Sequence, residues 1–219
     1  MAIQLKHHHT STLSHRQPPF SASPQPPRAA SLTVHAVLGG RAQELIKSGA
    51  VIPILPKDAA SAMESQGYKL LDIRPQWEIE KARVSGSLHV PLFVEDKDNG
   101  PITLLKKWVH FGYIGLWTGQ YFTMFNPDFV DQVQNSVPDK DSKLLVACGE
   151  GLRSMMAIAK LHQKGYKNLG WLAGGFNRAA DDDFPVVEGT EKLQYATIGG
   201  ASYYFLQLLL ILQAVGKKS

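Results

Sequence analysis

One cysteine stands in this 219-residue chain, and its neighbours are of the types and spacing that activate a sulfur. Cys148 follows the apolar run Leu144-Leu145-Val146-Ala147 and precedes Gly149, Glu150, Gly151, Leu152, Arg153 and Ser154. Gly149 and Gly151 can take backbone angles closed to other residues, so successive N–H groups can point at one spot above the sulfur. Met155, Ile158, Ala159 and His162 then recur at helical spacing, and Gly165 stands where a helix would end. The expected order is buried strand, short loop, helix. The positive end of that helix and the charge of Arg153 both favour thiolate over thiol, which makes Cys148 the expected catalytic nucleophile. A lone cysteine after an apolar run is otherwise a small buried core residue. The glycine pair and the arginine at a helix start argue against that here. A single cysteine also excludes an intramolecular disulfide and redox cycling through a thiol pair.

The motif C-x-x-G-x-R-S over Cys148–Ser154 resembles the active-site loop of the rhodanese-like sulfurtransferases, in which a cysteine carries sulfur as a persulfide. The related tyrosine and dual-specificity phosphatases use C-x-x-G-x-x-R, one residue longer, to surround a tetrahedral phosphate. The shorter cradle favours sulfur transfer over phosphate hydrolysis.

The elements that must position this loop are read on either side of it. Before it, Ala42–Lys47 and Pro56–Gln66 read as two short helices separated by Gly49 and Pro53, with Pro56 suited to a helix first turn. Tyr68–Arg74 is a strand ending in Asp72 and Arg74. Trp77-Glu78 follows, and then Ala82-Arg83-Val84-Ser85-Gly86-Ser87-Leu88-His89-Val90-Pro91. This order is similar to the rhodanese N-terminal signature, with Asp72, Arg74, Glu78, Gly86 and Pro91 on its positions. Ala82-Arg83 stands where the family usually has Gly-His, and Ser87 where it has Ala. The resemblance implies that Asp72 and Arg74 support the cysteine loop from a neighbouring strand end. An exposed acid–base pair of ordinary kind would contribute little.

Beyond the loop, Gly165-Tyr166-Lys167-Asn168-Leu169 and Leu172-Ala173-Gly174-Gly175 resemble the family's C-terminal signature, so that the likeness covers about Pro53 to Val187. Strands alternating with helices imply an α/β fold, an open and mostly parallel sheet flanked by helices, with the cysteine at a strand's carboxyl end. Within the family the chain looks most like single-domain plant plastid members. Between Phe93 and Asn126 lies a longer segment, with an aromatic-rich insertion over about 97–127 that includes a helical run Leu104–Phe111. Seven of the twenty aromatic residues fall between Trp108 and Phe125. They read either as a satellite core or as a lid shaping access to Cys148. His110 is expected to be structural. Phe129–Asn135 is a further short helix.

The two ends differ from this domain, which is expected over 37–190. Residues 1–36 contain no acid, three basic residues (Lys6, Arg16, Arg28) and five prolines between Pro18 and Pro27. Such a composition forms no core and fits a disordered transit peptide, with Val34-His35-Ala36 as a chloroplast processing site. Its three charges account for most of the formal +4, so the rest is nearly neutral. No basic stripe supports nucleic-acid binding. At the other end Leu193 to Gly216 holds twenty-four residues without a charge, enough for a hydrophobic helix that spans a bilayer, with Tyr203-Tyr204 and Lys217-Lys218 as anchors. A helix packed on the domain, or used for pairing, is the alternative.

The expected activity is that Cys148 takes sulfur from a small sulfane donor or a protein persulfide and passes it to an acceptor thiol or cyanide, with no metal or organic cofactor. The loop N–H groups and Arg153 would hold the anion. The alternative is a catalytically idle binding module tethered to a plastid membrane. Glu150 bears on the donor. Like charges about 5–6 Å apart oppose one another by roughly 3 kcal/mol at an effective dielectric near 20, so a thiosulfate dianion would be disfavoured if Glu150 faces it. If Glu150 points to solvent it contributes almost nothing.

Overall fold

The computed structural model describes residues 40–216. The predicted transit peptide therefore lies outside the described residues. After a helix over 40–47 (α1), the chain forms β1 (Val51–Ile54), α2 (Pro56–Glu64), β2 (Lys69–Asp72), α3 (Gln76–Ile79), β3 (Ala82–Val84) and β4 (Leu88–His89). β5 (Phe93–Glu95), α4 (Pro101–His110), a π-helical turn (Phe111–Gly115), α5 (Leu116–Thr118) and β6 (Thr123–Phe125) make up the long segment. α6 (Phe129–Ser136), β7 (Leu144–Ala147), α7 (Leu152–Gln163), β8 (Leu169–Leu172), β9 (Val187–Gly189) and α8 (Gly200–Gly216) complete the order, with 3₁₀ turns at Phe176–Arg178 and Leu193–Tyr195.

The main sheet has the order β1-β8-β7-β2-β4, and every pairing in it is parallel. A parallel sheet is covered on both faces, which is why β7 is apolar throughout. Leu144 and Val146 enter one core with Ile158 and Leu161 of α7 and Phe129 and Val133 of α6. Leu145 and Ala147 enter the opposite core with Ala59 and Ala62 of α2, Leu172 and Phe176. Each large side chain so buried contributes about 1.5–3 kcal/mol relative to exposure. Because all five strands run the same way, the loops after β2, β7 and β8 emerge together at one edge, and β7 lies between the other two.

Three features depart from the sequence reading. Val51–Ile54, read as a connector between helices, is a strand at the sheet edge, paired with β8. Pro53 has no N–H to give a ladder, and an edge strand tolerates this. The long segment is not a satellite core, since no residue of α4, the π-helical turn or α5 is buried.

The third departure corrects the expectation of a transmembrane helix over 193–216, and with it the hydrophobic C-terminal helix added to the fold. That stretch divides into the Leu193–Tyr195 turn, a bend and α8, because Gly200 takes φ +57° and interrupts the run. α8 has 17 residues. At 1.5 Å per residue that is about 26 Å, short of a hydrocarbon core of ~30 Å. Among the described residues no helix is long and apolar enough to cross a membrane. The bend is instead packed onto the domain. A Cβ at Gly119 or Gly200 would approach the other glycine's backbone closer than 3.0 Å.

Candidate active site

Cys148 is the first residue beyond β7 and is fully buried. Gly151 caps α7 with φ +88°, the left-handed conformation that glycine takes without strain. This turns the chain so that the N–H groups of Gly151 and Ser154 donate to Cys148 Sγ at 3.2 and 3.3 Å. Both belong to the first turn of α7, whose N–H groups have no partner within the helix. The Ser154 hydroxyl donates to the Gly151 carbonyl at 2.7 Å and accepts from the Cys148 thiol at 3.6 Å. Trp171 Nε1 donates to the same Gly151 carbonyl at 3.0 Å, tying the loop to β8.

The turn after β8 holds the loop from the other side. Phe176 N–H donates to the Cys148 carbonyl at 2.9 Å and Asn177 N–H to that of Gly149 at 2.8 Å. This approach requires Gly175 (φ +66°, ψ −169°), since a Cβ there would come closer than 3.0 Å to both of those carbonyl oxygens.

Asp72 and Arg74 form a fully buried pair at the end of β2, with Arg74 Nη2 2.6 Å from Asp72 Oδ2 and Arg74 Nε 3.0 Å from both carboxylate oxygens. Nη2 also donates to the Ala82 carbonyl at 2.8 Å, and the guanidinium stacks over the Phe176 ring at 4.4 Å. The pair thus reaches Cys148 through Phe176, whose N–H holds the Cys148 carbonyl.

Arg153 does not stand free above the sulfur. Its Nη1 and Nη2 donate to Glu78 Oε1 and Oε2 at 2.8 and 2.9 Å, a bidentate pair. Glu78, from α3, is 1% exposed. Burial works against the Arg153 charge, but the hydrogen bonds and field of Glu78, with the smaller fields of Cys148 and Asp72, outweigh it and hold the group above its ordinary range. The sequence reading placed Glu78 on a family position without giving it a part in the site. Its partner lies 75 residues away, and a separation of that size leaves no local signal.

The loop opens into a cavity of about 760 Å³ lined by Cys148, Glu150, Leu152 and Arg153. The long segment supplies Thr118, Gln120 and Thr123 to its wall, and the C-terminal stretch supplies Thr197, Ile198 and Ser202. The insertion reaches the cavity through its three polar side chains, and none of the seven aromatic residues between Trp108 and Phe125 is among the lining residues. Sequence reasoning missed Thr197, whose methyl group covers Gly149 and whose hydroxyl donates to Asn177 Oδ1 at 2.9 Å. Gln120 Nε2 donates to the Thr197 carbonyl at 3.2 Å, so insertion and tail meet over the cysteine loop. Glu150 and Leu152 are exposed, and both line the cavity. His110 lies elsewhere, hydrogen-bonded to the Gln120 carbonyl at 3.0 Å. Among the described residues no group of three or more His, Cys, Asp or Glu side chains is placed to hold a metal ion.

Comparison with known proteins bears on this arrangement. Residues 55–182 match the family model of the rhodanese-like domain, more than half of the chain. The sequence is 63% identical to rhodanese-like domain-containing protein 10 of Arabidopsis thaliana over 188 residues, 86% of this chain and 87% of that protein. It is 41% identical over 160 residues to rhodanese-like domain-containing protein 11, chloroplastic, of the same plant, covering 73% of this chain and 54% of that one. Protein 9, chloroplastic, is 36% identical over 135 residues, 62% of this chain and 57% of the relative. The chain thus spans somewhat over half the length of the last two. A model match across four of the five strands of the main sheet and all three signature loops, with identity of this order along most of one relative, leads to a single assignment: the chain belongs to the rhodanese-like domain family.

Proposed function

We propose that the protein is a sulfurtransferase in which Cys148 carries sulfane sulfur as a persulfide and passes it to an acceptor thiol or to cyanide. The observation that carries this reading is the pair of helix N–H groups aimed at Sγ, at 3.2 and 3.3 Å, beneath an open cavity. The Cys148 thiolate attacks the outer sulfur of the donor. The S–S bond of the donor breaks, its leaving group departs with the electron pair, and Cys148 holds the persulfide. Attack by the acceptor on the terminal sulfur then restores the thiolate. Gly151 and Ser154 N–H groups stabilise negative charge at both stages without rearranging, since both are fixed by the first turn of α7. Steady-state thiocyanate formation from a sulfane donor and cyanide tests this: the wild type turns over and Cys148→Ser does not. Equal activity in the two would remove Cys148 from the reaction.

A second reading, that the domain is an idle binding module, draws on the complete burial of Cys148 and the Thr197 methyl over Gly149. The same turnover assay separates the two.

The site of action is the plastid. The acid-free leader over residues 1–36 supports this, as do two relatives whose names carry the word chloroplastic. A fusion of residues 1–60 to a fluorescent protein should enter plastids and be trimmed near Ala36, and cytosolic or mitochondrial fluorescence would contradict it.

A further inference from the structure

We infer that this site selects against dianionic donors such as thiosulfate and takes organic sulfane donors that carry at most one negative charge and an apolar body. Glu78 and Glu150 set that preference. The inference rests on the sulfur-transfer reading of Cys148. Its basis is the set of charges around the cavity. Among the described residues, Glu150 and Arg153 are the charged side chains in the wall. Both terminal nitrogens of Arg153 are engaged by the Glu78 carboxylate, which is 1% exposed and has no route to water as an alternative partner. The pair is therefore neutral as seen from the cavity, and Glu150 leaves the wall with a net charge of about −1 at neutral pH.

A sulfonate head entering beside the Cys148 thiolate thus meets a net negative wall. Two of the loop's N–H groups, those of Gly151 and Ser154, are already directed at Sγ. Lys81, beside Gly199, donates to the Ile198 carbonyl at 2.7 Å and is not part of the wall. What the wall offers instead is apolar surface from Phe93, Leu152, Ile198 and Leu206. A cavity of about 760 Å³ lies within the range, roughly 300–1,000 Å³, that takes organic ligands.

The chemistry of the step is the same for each donor. With a thiosulfonate R–SO₂–S⁻, the thiolate bonds to the outer sulfur, the S–S bond breaks, and the sulfinate R–SO₂⁻ leaves with the electron pair. With thiosulfate the leaving group is sulfite. With an organic persulfide R–S–SH it is the thiolate R–S⁻. No oxidant or reductant is consumed.

The test uses the full chain with thiosulfate, methanethiosulfonate and benzenethiosulfonate. Persulfide formation on Cys148 is followed by quenched-flow mass spectrometry at low ionic strength. Each rate is divided by that of the same donor with a free thiol in solution, which removes differences in leaving group. After this correction thiosulfate should be at least tenfold slower in kcat/KM than methanethiosulfonate, and benzenethiosulfonate faster than both. Glu150→Lys, at an exposed position, should raise the thiosulfate value about tenfold and that of the monoanionic benzenethiosulfonate only about threefold, as half the charge requires, and added salt should shrink both gains. Glu78→Gln should move the ratio in the same direction by releasing Arg153. Because Glu78 is buried, the surface variant and the wild-type donor ratio decide the matter if that protein fails to fold. Persulfide formed at equal corrected rates from all three donors would overturn the inference and leave the sulfur-transfer reading standing. No persulfide from any donor would remove both.

Discussion

Replacing Gly175 by alanine should cost far more than the same change at Gly86, although both glycines have positive φ, +66° and +75°. At Gly86 an added Cβ meets no heavy atom within 4 Å. The penalty there is the left-handed backbone alone, about 1 kcal/mol. At Gly175 the φ, ψ pair of +66° and −169° lies in a region essentially restricted to glycine, worth about 1–3 kcal/mol. The Cβ would also press on the carbonyl oxygens of Cys148 and Gly149, the acceptors of the Phe176 and Asn177 N–H groups. Backbone cannot rotate aside as a side chain can, so the two loops must part. Losing those two hydrogen bonds adds about 1 kcal/mol each. The sum is about 3–5 kcal/mol. At ~2–4 °C per kcal/mol for a domain of this size, Gly175→Ala should lower Tm by about 10 °C and Gly86→Ala by about 3 °C. Scanning calorimetry measures both. A Gly175→Ala protein melting within two or three degrees, about the calorimetric margin, of Gly86→Ala would refute the claim that close backbone contact between these loops holds the cysteine in place.

Two further predictions concern buried groups. Arg74→Met leaves the Asp72 carboxylate buried without its partner and should cost about 3–5 kcal/mol in urea unfolding, of which the double variant Asp72→Asn/Arg74→Met recovers more than half. A double variant no more stable than the single one would show that the Ala82 and Phe176 contacts of Arg74 matter more than its charge. Tyr166, 1% exposed, donates from its hydroxyl to the Val137 carbonyl at 2.6 Å, and burial, aided by Asp139, raises its pKa above the ordinary 10.0. The neutral phenol therefore stabilises the fold fully below pH 10, and that contribution is lost as pH rises through the raised value. Tyr166→Phe should cost about 1–2 kcal/mol at neutral pH, and the deficit should shrink above pH ~10. A deficit that grows with pH would reverse the assigned sign.

What could be read in the sequence was what local spacing dictates. The strand, glycine loop and helix around Cys148 lie within one short stretch, and each step has its own cue: an apolar run, two glycines, a helical period. The turn at Gly174-Gly175 and the Asp72–Arg74 strand end were legible for the same reason. The partner of Arg153 was not, since nothing near residue 153 indicates that α3 will bring Glu78 beside it. Pro53 hid β1, because proline argues against a strand unless the strand is known to be an edge. The C-terminal stretch misled through composition: twenty-four uncharged residues read as one long helix, yet Gly199 and Gly200 break it and seat Thr197 over Gly149. Close packing of Gly119 against Gly200 is tertiary, and only the fold reveals why those residues are glycines.

The central claim is that Cys148 itself carries the transferred sulfur, and intact-protein mass spectrometry of a single turnover tests it most directly. Incubation with benzenethiosulfonate followed by removal of excess donor should leave the wild type heavier by one sulfur atom, located by fragmentation on Cys148. Addition of cyanide or an acceptor thiol should return the original mass. Cys148→Ser should show neither change. A wild-type thiol that stays unmodified, or added sulfur that no acceptor removes, would contradict the account.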